Sequence, residues 1–535
     1  MHRRFSVLAV TTMTTVTAAV AAGCSAGSSA NGNSGPAGYA KDGTFTYTIP
    51  SDPGAIDPYR NISSINEMGS LVYDPLVNVT PEGKIVSGLA ERWQVDARGA
   101  TFTLREGITC SDGTPLTARQ VAAALTFLKD PKNQSPLYGL LVPATAFTVT
   151  ADDTARTVKV TMQEPFALLL QTIGRTPIVC DKGMKNPKSL AKSSAGTGPY
   201  VLSDVVRGDH YTFTRRAGYT WGPAGVGNDA PGTPARVVVK IVPNETTAAN
   251  LLLSGEVNMA AVRGADRKRL EARELKHFTL SSTLGELWFN QRDGRPGADP
   301  KVRKALITAL DLDELARVST GGQGKRAEAL VANDSQPCAA NNVEGLPRHD
   351  ARQAAALLDQ AGWTAGSKGI RGKGGKQLKV SLHYSSNEGK GNVAAAEVVS
   401  QRWKDLGVSV ELVGDDLNSL NRAMFETGDF DVYWAGFKLN LPHLAVPFAS
   451  GAVPPAGQNF TGIKNPSYDS LVARAARTAG EAGCKLWNDA ERSLIAASDV
   501  VPVSEAEIPY FLNKGEAKTE GWLQIPIPTS LRVLR

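Results

Sequence analysis

Histidine is scarce in this sequence: six residues in 535, at positions 2, 210, 277, 349, 383 and 443. No two stand three or four residues apart, so an H-E-x-x-H zinc helix is excluded. No G-x-S-x-G elbow is present, which removes the commonest strand–turn–helix nucleophile. Gly372 and Gly374 fall in a Lys/Gly turn rather than between a strand and a helix, so they do not make a dinucleotide fingerprint. The Gly196/Gly198 cluster lacks the Lys-Ser/Thr ending of a phosphate loop. Acidic neighbours such as Asp415 and Asp416 read as solvated loop or cap residues. Long basic runs are missing too: 58 Lys and Arg face 52 Asp and Glu, a formal charge of +6, with no basic helix interleaved with aromatics. That balance gives no reason to expect a nucleic-acid partner. Beyond the first residues, nothing is apolar for the 18–20 positions or so that a membrane span needs. No cofactor is implied, and binding is a simpler account of the chain than catalysis.

What is there describes a soluble globular protein, 42% hydrophobic and 21% charged. Its length calls for two or more lobes. The N-terminus is built for export. Arg3 and Arg4 precede a Thr-rich, weakly apolar stretch over residues 5–20, and Ala21-Ala-Gly-Cys24 supplies small residues before a cysteine. This is similar to a lipoprotein cleavage box, with Ala21 where leucine is usual. Cleavage after residue 23 would leave Cys24 as a diacylated N-terminus, and two chains hold a protein on a membrane where one does not. Residues 25–38 are rich in Ser, Gly, Asn and Ala, the composition of a flexible tether. A twin-arginine export signal fits less well, because Ser6 stands where that motif prefers Phe.

The most informative stretch runs from Thr101 to Val121. Phe102 and Leu104 alternate with Thr101 and Thr103, as in a half-buried strand. Ser111-Asp-Gly-Thr-Pro115 is a turn cluster. Thr117 and Gln120 predict a capping box, followed by Val121, Leu125 and Leu128 at helical spacing. Elsewhere the alternation predicts strands over residues 44–49, 148–161, 287–290, 408–413 and 432–434, with a β-branched strand over 237–242. Leu378, Val380, Leu382 and Tyr384 alternate after a Lys373-Gly-Gly turn. Helices are expected over 245–254, 350–362 and 393–406. Asp299 with Pro300 starts another, carrying Val302, Leu306 and Leu310 on one face, and Asp311 with Glu314 restarts it through a second capping box. Helix, glycine, acid and strand recur at Gly255-Glu256 and at Gly428-Asp429, which is βαβ grammar.

The run "F-T-L-R-x-G-x-x-x-S-D-G-T-P-L-T-A" closely resembles the signature of the family 5 extracellular solute-binding proteins, the oligopeptide, dipeptide and nickel receptors of bacterial ABC importers. Ile56-Asp-Pro58, Val72-Tyr-Asp-Pro-Leu76, Gly196-Thr-Gly-Pro-Tyr200 and the segment from Asp299 to Leu315 are similar to further family motifs. The likeness therefore runs from about residue 44 to about residue 510. It implies an α/β, two-lobe type II periplasmic-binding-protein fold with an extra subdomain in the first lobe. The expected division is signal peptide 1–23, tether 24–40, lobe I 41–77 and 196–284, extra subdomain 78–195, lobe II 285–499, and a return to lobe I over 500–535. The implied partners are a peptide or small-molecule ligand, a permease and ATPase complex, and a membrane reached through the lipid anchor, with the protein itself monomeric. A receptor for a sugar, an anion or a metal chelate such as nickel, or a fold member recruited to sensing or enzymatic work, are the alternatives.

In peptide-binding relatives, an Asp shortly after a "G-W" element pairs with the peptide's amino group. The matching stretch here, Tyr433 to His443, contains no Asp, and Lys438 falls nearest that place. Pro442-His443 keeps two residues of the "D-P-H" of nickel-type relatives. Trp434 and Phe437 are expected to stack on ligand, with Asn440 beside them. Asn290 at the lobe crossover, and Tyr59 and Asn66 in the first cleft wall, complete the expected ligand set; no metal ligand is expected. Four cysteines remain once Cys24 is set aside, and they allow three pairings. Cys110–Cys180 with Cys338–Cys484 keeps each bridge inside one expected lobe. No two of the four stand at zinc-ligand spacing.

Overall fold

Three consecutive valines, Val237, Val238 and Val239, pack well on a pleated surface, and they lie in the large sheet that organises the chain. The computed structural model describes residues 38–61, 65–331, 336–366, 369–386, 389–437 and 439–535, and at 65, 66, 417 and 418 it describes no side chain. The expected export signal, Cys24 and most of the expected tether lie outside the described residues. Among the described residues eleven strands form the sheet. They are β1 (Thr44–Ile49), β2 (Tyr200–Val206), β3 (His210–Arg215), β4 (Arg236–Ile241), β5 (Met259–Ala261), β6 (Lys276–Phe289), β7 (Gly324–Arg326), β8 (Lys379–Ser385), β9 (Ser409–Asp415), β10 (Val432–Ala435) and β11 (Val500–Leu512). Their order is β9-β8-β10-β6-β11-β5-β1-β4-β3-β2, with β7 paired to β11 off this path.

Two strands belong to both halves of the sheet. β6 and β11 pair antiparallel from Lys276↔Leu512 to Trp288↔Val500. At one end β11 is flanked by β5, and at the other β6 is flanked by β10. The register shifts on both sides of Gly285. A Cβ there would come within 2.6 Å of the Trp434 ring and 2.8 Å of Ser504 Oγ, so glycine is what lets the strands cross so closely. One apolar core gathers Phe45, Tyr47, Val237 and Val239 on the β1 side. Another gathers Leu287, Val380, Leu382, Val399, Trp403 and Val432 on the β8 side.

The signature forms as its local chemistry dictates. Strand Gly99–Leu104 leads through the turn to helix Ala118–Leu128, where Thr117 and Gln120 make both hydrogen bonds of a capping box. The strand belongs to a separate four-stranded antiparallel sheet with Ala90–Asp96, Phe147–Asp152 and Thr157–Met162. The run 148–161 is thus a hairpin rather than one strand. Asp152 accepts a hydrogen bond from the Ala155 amide, and Arg156 takes a left-handed φ of 54° to close the turn. The second expected capping box is also different. Asp311 caps helix Leu312–Ser319 alone, while the Glu314 carboxylate receives Arg402 at 3.0 and 3.1 Å.

Three of the sequence motifs meet one another. Gly196 and Gly198 press against the Val72 main chain, and the Ser111 amide donates to Gly196 O at 2.8 Å. Asp74 lies buried at the junction, accepting from Thr197 (2.8 Å), Tyr219 (2.8 Å) and Trp221 (3.1 Å). Burial pushes its pKa up to about 6, against the pull of those three donors. The motifs that identify the chain are therefore a structural joint. Disulfides join Cys110 to Cys180 and Cys338 to Cys484.

Candidate ligand-binding site

A cavity of about 420 Å³ opens where the two halves of the sheet meet. Its walls are Tyr47, Thr48 and Ile49 of β1, Met259 and Ala261 of β5, Phe278 to Thr283 of β6 except Thr279, and Ile508 and Tyr510 of β11. Leu439 and Asn440, just past β10, come to it from the other half. The size suits a solute of a few hundred daltons, since small-molecule sites run from roughly 300 to 1,000 Å³.

Several polar wall residues are held by local structure. The Tyr47 hydroxyl donates to Glu67 O at 2.6 Å, which ties β1 to the turn Ile65–Gly69 and brings Glu67 to the cavity. Burial raises the Tyr47 and Tyr510 phenols above their usual range, and the negative charge of Glu67 adds to the effect on both. Both phenols therefore remain protonated hydrogen-bond donors. Tyr510 stacks on Phe278 with ring centres 5.4 Å apart and planes 2° from parallel. Arg263 acts on Tyr510 in the opposite sense to Glu67, so charges of both signs flank that ring. The Arg263 loop is fixed from below. Its amide and that of Gly264 donate to the Glu245 carboxylate (3.3 and 3.1 Å), at the first turn of helix Glu245–Ser254. The Ser281, Ser282 and Thr283 side chains add hydroxyls along β6.

The lining combines apolar side chains with several hydrogen-bonding groups. Among the described residues no His or Cys lines the cavity. Among the described residues no group of three or more His, Cys, Asp or Glu could hold a metal ion.

Of the residues expected from the sequence, Asn440 lines the cavity. Trp434 does not: it is fully buried in β10 and its indole N–H donates to Asn392 Oδ1. Phe437 packs in an aromatic cluster with Trp288, Phe448 and Phe460. Asn290 is fully buried, donating to Gly428 O (3.2 Å) and Phe430 O (2.7 Å) to close the end of β6. Tyr59 is buried too, its hydroxyl donating to Pro177 O (3.0 Å) and accepting from the Val179 amide (3.1 Å). Lys438 lies outside the described residues, as does the Asn66 side chain. His443 is away from the cavity, against Leu140 and Phe166. The sequence reading missed Tyr47, Glu67, Arg263 and Tyr510. One signal was available: three successive hydroxyl residues, Ser281 to Thr283, stand between Leu280 and Leu284 in β6.

The architecture, two α/β lobes meeting at a cavity, is that of the type II periplasmic binding proteins, and a substrate-binding protein of Microbacterium hydrocarbonoxydans, solved with 4-hydroxybenzoate hydrazide, matches it. The TM-score is 0.71 at 26% identity over 92% of this chain and 99% of that one. A family model for bacterial extracellular solute-binding proteins, family 5 Middle, matches residues 84–494. The chain belongs to this family, whose members bind solutes for transporters rather than transform them. A nickel-binding periplasmic protein of Escherichia coli (strain K12) is 24% identical over 393 residues, 70% of this chain and 72% of that protein. The glutathione-binding protein GsiB of Shigella flexneri serotype 5b (strain 8401) is 27% identical over 483 residues, 86% and 87% of the two chains. Among the described residues no helix is long and apolar enough to cross a membrane.

Proposed function

We propose that this chain is the receptor of an ABC importer, a lipoprotein held outside the membrane through Cys24. It captures a small peptide or related organic solute and delivers it to a permease and its ATPase. The observation that carries this reading is the cavity, with one wall of β1, β5, β6 and β11 and the other at Leu439 and Asn440. We take residues 41–77, 196–284 and 500–535 as the first lobe, 78–195 as its extra subdomain and 285–499 as the second. A solute touching both lobes binds the closed arrangement better than the open one and shifts the equilibrium by that difference. Relatives named for nickel and for glutathione suggest two chemistries. The lining here favours the organic one, since a metal would have to arrive inside a chelate that supplies its ligands.

Mass spectrometry of the supernatant from freshly purified, denatured protein tests the reading. One solute of a few hundred daltons, in near-stoichiometric amount, is expected. Its absence, together with no thermal shift from di- to pentapeptides, glutathione or nickel–histidine, would end it. Ser282→Trp places an indole in the cavity wall. Solute recovered from that variant is expected to fall on the order of 100-fold, the equivalent of ~3 kcal/mol.

A further inference from the structure

We infer that the segments carrying Leu140 and Phe166–Ala167 form a latch that seats on the second half of the molecule and holds the cavity closed without help from solute. The inference rests on the receptor reading above, in which the two halves open and close. The contact is separate from the crossing strands β6 and β11, and none of its residues lines the cavity.

Its centre is a main-chain hydrogen bond: the Ala167 amide donates to Ala476 O at 2.7 Å, joining the subdomain to the end of helix Pro466–Ala475. Apolar side chains surround it. Ala475 is fully buried and Trp487 is 4% exposed, and both belong to the same core cluster as Phe166 and Leu168. His443 closes one side. Its Nε2 lies 3.3 Å from Leu140 O, and its ring meets Phe166 edge-on at 5.6 Å between centres. Nδ1 is buried there with no partner, an arrangement that an isolated second lobe would avoid by hydrating it. The Cys338–Cys484 bridge pins the receiving surface, tying Cys338, part of the apolar cluster, to helix Gly480–Ala496, which carries Trp487.

Opening the cavity by rotation about β6 and β11 has to expose this apolar patch and break the hydrogen bond between half-buried Ala167 and Ala476. A latch of this kind raises the population of the closed state before solute arrives. It thereby reduces the conformational cost subtracted from the solute's affinity. It also lies where it can change affinity without touching solute, which distinguishes it from any cavity residue.

Small-angle scattering on the full protein stripped of solute by unfolding and refolding tests the latch first. A profile matching the present structure, in which this contact is made, is expected, and a profile with the two halves apart overturns the proposal outright. Ala475→Glu puts a carboxylate into the dry contact, and the stripped variant is expected to scatter as an open molecule. Phe166→Ala is the milder second variant, expected to retain about tenfold less co-purified solute after a fixed dialysis while its cavity is unaltered. A folded Ala475→Glu that stays closed, or a Phe166→Ala that retains solute like the parent, overturns the latch. The two readings fail separately: a stripped protein that is open but reloads with its extracted solute leaves the receptor and removes the latch. A closed protein that yields no solute and shows no thermal shift with di- to pentapeptides, glutathione or nickel–histidine does the reverse.

Discussion

Replacing Arg303 by methionine is expected to destabilise the second half by about 4 kcal/mol, because it leaves a buried carboxylate without its cation. Arg303 lies in helix Pro300–Thr308 and is 5% exposed. Its guanidinium donates to Gly297 O (2.8 Å), Ala497 O (3.0 Å), Ser498 O (3.0 Å) and Asp499 Oδ1 (2.9 Å). Burial pulls its pKa down, and the Asp499 charge opposes that. Asp499 in turn accepts from Gln291 and Asn465, both at 2.9 Å. This network ends one residue before β11 begins, so it fixes where the crossing strand leaves the second half. Methionine fills much of the volume but strands three carbonyls and one carboxylate. Arg303→Lys is expected to recover little, since an ammonium offers one compact charge where a planar fork reaches four acceptors. Equilibrium unfolding in urea reads the loss. A change below about 1 kcal/mol would mean that water replaces the guanidinium at little cost.

How legible was this molecule in its sequence? Elements set by neighbours in the chain were readable. Thr117 and Gln120 make their capping box, Asp299 and Pro300 start their helix, and Gly255 ends another at a φ of 80°. Where a turn used unusual residues, the reading failed. The hairpin at 152–157 closes with an arginine in the left-handed region, not with the glycine or asparagine that marks such turns. The site was the least legible part, for a physical reason. Tyr47 and Tyr510 carry the same strand alternation as core residues, and only the tertiary arrangement decides that one strand face lines a cavity. Trp434 shows the converse. An aromatic in the segment aligned with the family's ligand contacts is packed in the sheet because β10 lies between β6 and β8. The motifs that carried the resemblance, including those around Asp74 and Gly198, hold the first half together. They identify the family while saying little about its solute.

Two buried groups in the second half titrate in opposite directions, and Glu491→Gln and His443→Gln are expected to move the acid and alkaline limbs of the stability profile independently. Burial pushes the Glu491 carboxyl up to about 7, although the Leu330 amide and Asn342 donate to it. A carboxyl whose folded pKa exceeds its unfolded one favours the fold most below about 4.5 and loses that contribution as pH rises through 7. Over the whole window the loss is about 3 kcal/mol. Glutamine can still accept from Leu330, and its amide offers a donor to Asn342 Oδ1, which has none. The variant should match the parent near pH 4.5 and exceed it progressively up to pH 8. His443 runs the other way. Burial lowers it to about 4, with the Leu140 carbonyl acting weakly against that. Its neutral form favours the fold above about 6.5, and that contribution fades as pH falls through 4, again by about 3 kcal/mol. His443→Gln keeps an N–H donor for Leu140 and removes the titration, so its advantage should grow only below pH 6.5. Urea midpoints measured every half unit from pH 4 to pH 8 separate the two. Parallel profiles for parent and variants would show that both groups reach water in the folded protein.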